Sequence, residues 1–225
     1  MENIVIRNYR RTAVISLVTL SFLFGLAVAA DNPVVDFYWE KARRVDKSRN
    51  PVETGATYSY IATSYYKKIS RKGKVENIDS VRSEYFYSWG KLDSSKTLAG
   101  DPKKFKNLDL SVPDILDSDY DRYFFPNDTG GSELVIGFDT PTAGDPRPTG
   151  LLAIDRERYV LLWMDLFYPK KENYQRYTRS FRFTEVEGLV FPDSVWVVGA
   201  KRGIFFSENY RLETGIEDIK VYHSR

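Results

Sequence analysis

The chain has 225 residues, carries 33 Lys and Arg against 31 Asp and Glu, and contains no cysteine. Without thiols there is no disulfide framework, no lipid-bearing cysteine and no thiolate metal site. The near-balanced charge leaves no electrostatic footprint for nucleic acid or for a strongly anionic surface.

The first thirty residues differ in kind from the rest. Arg7, Arg10 and Arg11 make a basic start opposed only by Glu2, and an apolar stretch runs from Ala13 through Ala29. It ends in the small residues Ala27, Ala29 and Ala30. This three-part pattern predicts a cleavable secretory signal over 1–30, cut after Ala29 or after Ala30, with 31–225 left as a single domain. Arg10-Arg11 is the start of a twin-arginine signal, but Thr12-Ala13-Val14 matches the rest of that signal poorly. No second long apolar run follows, so the mature chain is expected not to span a membrane.

Beyond the signal, Val34 to Val45 places Val34, Val35, Tyr38, Trp39, Ala42 and Val45 at helical spacing, with Glu40, Lys41 and Arg44 opposite. The spacing predicts a short helix, followed by a polar linker from Lys47 to Gly55. Thr57–Ser70 and Val75–Trp89 are rich in Tyr, Ile, Thr and Val around the turn Arg71-Lys72-Gly73-Lys74, and they predict a long hairpin. Lys91 to Asn107 is polar, holds Gly100 and Pro102, and reads as mostly loop. Ser111-Val112-Pro113-Asp114 has the capping serine, proline and acid of a helix start, with the helix ending before Tyr120.

Glu133–Asp139 predicts a strand, and the proline-rich run Pro141 to Pro148 a loop. A meander then follows. Strands are expected at Gly150–Asp155, Tyr159–Tyr168, Tyr174–Val186, Leu189–Val198, Gly203–Glu213 and Ile216–Tyr222, with turns near Arg156, Lys170, Gly188, Gly199 and Gly215. In the second of these, Tyr159, Leu161, Trp163 and Phe167 share one parity and Val160, Leu162, Met164 and Leu166 the other. Phe181 and Phe183 alternate with Arg182 and Thr184; Phe206 and Tyr210 alternate with Ser207 and Asn209. One face of the sheet is therefore aromatic-rich across several strands. Two readings stand: a filled core, or an apolar groove for an amphiphile.

Gly150-Leu151-Leu152-Ala153-Ile154-Asp155 with its following apolar strand, then Phe183 through Gly188, Val190-Phe191-Pro192 and two closing strands, resembles the LolA-like superfamily of outer-membrane lipoprotein-sorting and carrier proteins. The hairpin Tyr58–Trp89 fits the first strands of such a fold. The resemblance implies a mainly β domain: one strongly curved antiparallel sheet, a half-barrel, with a few short helices over its concave face. It also implies a soluble, non-enzymatic periplasmic protein that binds a lipid, a lipoprotein acyl chain or another amphiphile, without a cofactor. An inner- or outer-membrane delivery partner would go with that role. The residues expected to line the cavity are Tyr58, Tyr60, Trp163, Phe181, Phe183, Trp196, Phe206 and Tyr210. The alternative is an envelope-stress sensing or protein-interaction module with a fully packed core.

No catalytic constellation emerges. Histidine occurs once, at His223 near the C-terminus, which argues against a His-based triad. Asp117, Asp119 and Asp121 have the alternate spacing of a calcium loop, but Arg122 stands where glycine is needed. Asn127-Asp128-Thr129 is a formal glycosylation sequon, relevant only in a eukaryotic secretory route. The acidic residues single out no pair for hydrolysis.

Overall fold

The computed structural model describes residues 32–70, 72–105, 110–124, 131–142, 144–169, 174–202 and 207–223. The expected signal segment 1–30, the sequon at 127–129 and Phe206 lie outside them.

Helix α1 (Pro33–Arg49) begins where the sequence supplies a cap. The Val34 amide donates to Asn32 Oδ1, Pro33 takes the first helical position, and Asp36 sits in the first turn. Lys47 and Arg49 occupy the last turn, where cations complement the exposed carbonyls. The helix runs four residues past the expected end at Val45. Its buried stripe is Val35, Trp39 and Ala42.

Ten strands among the described residues form one antiparallel sheet: β1 (Thr57–Ile69), β2 (Val75–Ser88), β3 (Lys91–Gly100), β4 (Asp121–Phe124), β5 (Glu133–Asp139), β6 (Thr149–Asp155), β7 (Leu161–Phe167), β8 (Tyr174–Val186), β9 (Leu189–Arg202) and β10 (Ser207–Tyr222). The order is β3-β2-β1-β10-β9-β8-β7-β6-β5-β4, so the last strand pairs with the first. Among the described residues the two end strands do not pair, and the sheet is an open, curved half-barrel.

Several local expectations are corrected. Lys91–Gly100 is a strand rather than a loop. Its polar composition reflects the exposure of every residue on both faces, while a two-residue turn at Trp89-Gly90 lays it back along β2. Ser111-Val112-Pro113-Asp114 starts no helix. The Asp114 carboxylate instead accepts from the Asp117 amide, and too few residues precede Tyr120 for a helix to repay its nucleation. Asp121 opens β4, which removes it from any acidic loop. Gly199 and Gly215 are not turns but lie inside β9 and β10. At Gly199 the reason is space, because a Cβ there would run into the Tyr210 ring.

A further correction concerns parity. The β6–β7 register places Ala153 opposite Trp163 but Ile154 opposite Leu161, so one residue of β7 is extra. Such a bulge inverts the alternation. Leu161 therefore joins Met164 and Leu166 in the core, and Trp163 points to the other side.

The main core lies between α1 and the inward face of β5–β10. Val35, Trp39 and Ala42 from the helix pack with Leu134, Ile136 and Phe138 of β5, Leu152 and Ile154 of β6, and Phe181 of β8. Ile115, Leu116 and Tyr120 from the irregular segment 110–120 complete the layer. A smaller cluster forms around Tyr58, Tyr60, Ala62, Phe191 and Ile216.

Candidate inward-facing binding surface

The expected site residues divide three ways. Tyr58, Tyr60, Phe181, Phe183 and Tyr210 all contribute to the two apolar clusters. Trp163 and Trp196 stand on the opposite face. Trp163 carries the Arg182 guanidinium over its ring at 5.6 Å, and its Nε1 donates to Glu133 at 3.4 Å. Trp196 alternates with the buried Val195 and Val197 and pairs with Ser180 and Glu213. Phe206 lies outside the described residues.

The β1–β2 end of the surface is a ladder of tyrosines. Cross-strand register sets Tyr58 opposite Tyr87 and Tyr60 opposite Tyr85. The Tyr58 and Tyr87 rings stack at 4.6 Å, and Tyr60 lies 5.4 Å from Tyr85. Phe191 meets Tyr58 edge-on at 5.2 Å. The Tyr60 and Tyr87 hydroxyls share a hydrogen bond of 3.1 Å. Burial pushes the Tyr58 and Tyr60 hydroxyls well above the usual phenol range, with neighbouring Tyr87 adding to the effect, so these two stay neutral. On the same face Tyr87 pairs with Leu92 of β3, which is exposed.

The other end, over β5–β9, is covered. Segment 110–120 lies across it without regular structure, held by a few polar ties. Trp39 Nε1 donates to the Leu116 carbonyl at 3.1 Å, and Arg179 Nη2 donates to the Ser111 carbonyl at 2.7 Å. Asp117 is clamped by Lys47 at 2.6 Å and Arg43 at 3.1 Å. The hydrogen bonds from those two cations hold its carboxyl below the usual range.

Arg179 is the functional-looking residue that the sequence reading missed. It is only 5% exposed, and its guanidinium lies 4.9 Å from the Phe181 ring centre. A signal was available: Arg179 shares the parity of Tyr177, Phe181 and Phe183, so a charge falls in an inward apolar row. A buried cation of this kind is costly unless it binds something, and here it binds the cover.

Beside the cover, Asp46 of α1 is drawn into a desolvated spot near Asp114, Glu53 and Asp117. Burial chiefly raises its carboxyl to about 6, against the opposing hydrogen bond from Asn50. On the opposite face, where β9 parts from β10, a dent of about 380 Å³ is lined by Thr63, Asp193, Ser194, Gly215, Ile216 and Glu217. It includes none of the expected site residues. His223 sits at the surface, 2.7 Å from Glu187. The inward arrangement is suited to holding apolar groups through contact area and ring stacking.

No protein-family model matches the chain, and no curated protein matches it. Among solved structures it is similar to a DUF1329 family protein from Desulfovibrio piger, at 14% identity and TM-score 0.46, covering 83% of this chain and 92% of that one. It is also similar to an outer membrane lipoprotein-sorting protein domain from Vibrio parahaemolyticus, at 12% identity and TM-score 0.43, covering 83% and 93%. A third is a LolA superfamily protein from Nitrosomonas europaea, at 10% identity and TM-score 0.39, covering 85% and 94%. The half-barrel is read from this chain's own strand order and register. Among the described residues no helix is long and apolar enough to cross a membrane.

Proposed function

We propose that the protein is exported to the periplasm and there holds an apolar chain, from a lipid or a lipoprotein, against the inward face of its sheet. One observation carries this reading: the apolar face continues along the sheet from its filled part to an exposed edge. It runs on from Phe181 and Phe183 to the ladder of Tyr58, Tyr60, Tyr85 and Tyr87 and ends at exposed Leu92. The cover itself is irregular chain, held by the Arg179–Ser111 and Trp39–Leu116 hydrogen bonds and by Ile115, Leu116 and Tyr120, and it is the part of the inward layer without regular backbone pairing.

In this mechanism an acyl chain displaces Ile115 and Leu116 and breaks the Arg179–Ser111 bond. Each buried methylene contributes about 0.8 kcal/mol, part of which replaces contacts the cover already makes. No covalent step is involved. Delivery to an inner- or outer-membrane partner would follow.

Native mass spectrometry after gentle extraction, with uptake of a fluorescent fatty acid, tests the reading. Co-purified lipid or saturable uptake is expected. A clean apo mass with no uptake would overturn it in favour of the second reading, a protein-interaction or envelope-stress sensing module. That reading is favoured by a specific observation: over β5–β9 the inward face is already filled by Trp39, Leu116 and Tyr120.

A further inference from the structure

The turn joining β2 to β3 holds Trp89, which is 79% exposed and has φ +54°, followed by Gly90 at φ +69°. A two-residue hairpin turn with both central residues in the left-handed region favours Asn or Gly at each position. A tryptophan there is backbone-strained and buries little of its ring, so folding does not account for it.

The tip is nevertheless well held. The Gly90 amide donates to the Ala56 carbonyl at 3.0 Å. A Cβ on Gly90 would come 2.6 Å from the Val52 carbonyl oxygen, and one on Gly55 would touch the Trp89 ring at 3.6 Å. Val52 is itself 54% exposed, and Leu92, two residues past the turn, is 55% exposed. Three apolar side chains thus project from one firm end of the sheet. The charged residues adjoining them in sequence, Glu53, Lys91 and Asp93, leave a net charge of only −1.

We infer that the Trp89 tip, with Val52 and Leu92, docks the protein onto the head-group layer of a zwitterionic lipid bilayer. An indole favours that layer because it joins a large apolar ring to one N–H donor. A small convex tip lacks the area of a stable protein interface, whereas a soft lipid surface needs no complementary shape. The weak local charge suits a neutral surface rather than a polyanionic one. Through the Leu92–Tyr87 pair the tip is also continuous with the tyrosine ladder. The inference rests on the amphiphile reading for its purpose, since docking there places the mouth of the apolar face against the membrane.

Flotation of the full mature chain with phosphatidylcholine vesicles tests it, using Trp89→Asn as the variant. Asn suits the left-handed turn, so the variant is expected to melt at the same or a higher temperature than the wild type. Its flotation is expected to fall about tenfold. Wild-type flotation should be unchanged between low and high salt. The inference is overturned if the wild type does not float, if Trp89→Asn floats equally well, or if flotation requires anionic lipid and disappears in high salt. Uptake of a fluorescent fatty acid from vesicle-free solution, measured on both chains, reports on the amphiphile reading alone. It persists if only the docking inference is wrong.

Discussion

The two ends of the sheet are built from similar strands but are stabilised differently. Over β5–β9 the inward face meets α1 and the 110–120 segment, and residues such as Leu134, Ile136, Phe138 and Leu152 are fully buried. At β3 every residue is exposed, and β2 beside it keeps only Val81 and Ser83 buried. The contrast teaches that strand pairing alone can extend a sheet past its core. The extension then depends on cross-strand contacts such as Tyr58–Tyr87 and on a well-tied turn.

The comparison breaks most sharply at the core. Phe138→Ala is expected to cost roughly 3–5 kcal/mol in urea unfolding, because Phe138 packs on both Trp39 and Tyr120. Leu98→Ala on β3 should cost less than about 0.5 kcal/mol, which is typical of an exposed position. Comparable losses at the two sites would contradict the division drawn here.

The cover can be loosened separately. Arg179→Leu removes the donor to Ser111 and leaves a carbonyl to find water, at about 1–3 kcal/mol. Hydrogen exchange should quicken across 110–120 while the β1–β2 amides keep their protection. Uniform quickening would mean that Arg179 supports the whole fold rather than a latch.

A titration comes next in size. Asp46 goes from an ordinary 3.8 to about 6 in the folded chain, so the folded state holds its proton more tightly than the unfolded one. Its contribution to stability is complete below about pH 4 and is lost as pH rises through about 6. Allowing for partial exposure, the loss is about 1–2 kcal/mol. Asp46→Asn should flatten that stretch of the stability–pH curve and leave the protein more stable at pH 7.5. An unaltered curve would show that Asp46 is better solvated than its surroundings suggest.

The smallest effect sharpens the tyrosine-ladder end. Tyr87→Phe keeps the stack on Tyr58 and removes only the hydroxyl that meets Tyr60. A cost of about 0.5–1.5 kcal/mol is expected in a double-mutant cycle with Tyr60→Phe. A null coupling would assign the ladder's stability to ring stacking alone.

Much of this architecture was legible in the chain. The hairpin Thr57–Ser70 with Val75–Trp89, the long strands after Gly150 and the helix at Val34 follow from local period and turn chemistry. β3 was not legible, because a strand with no buried face has no alternation to read. Trp163 was misplaced because a single extra residue in β7 reverses parity, and nothing in the run Leu161-Leu162-Trp163-Met164 marks where it falls. Arg179 was readable in principle as a charge within an inward row. Its partner, the carbonyl of Ser111, lies far away in sequence and was not.

The sequence by itself determined the class of the fold, because side-chain alternation along a strand is local and two-residue periodicity survives without knowledge of any neighbour, but it left open which side faces inward. Tertiary structure alone decided which part of that side is covered, which tryptophan faces out and which strand is left at the edge. Those outcomes depend on register, bulges and the path of residues 110–120, and each is set by contacts between segments far apart in the chain.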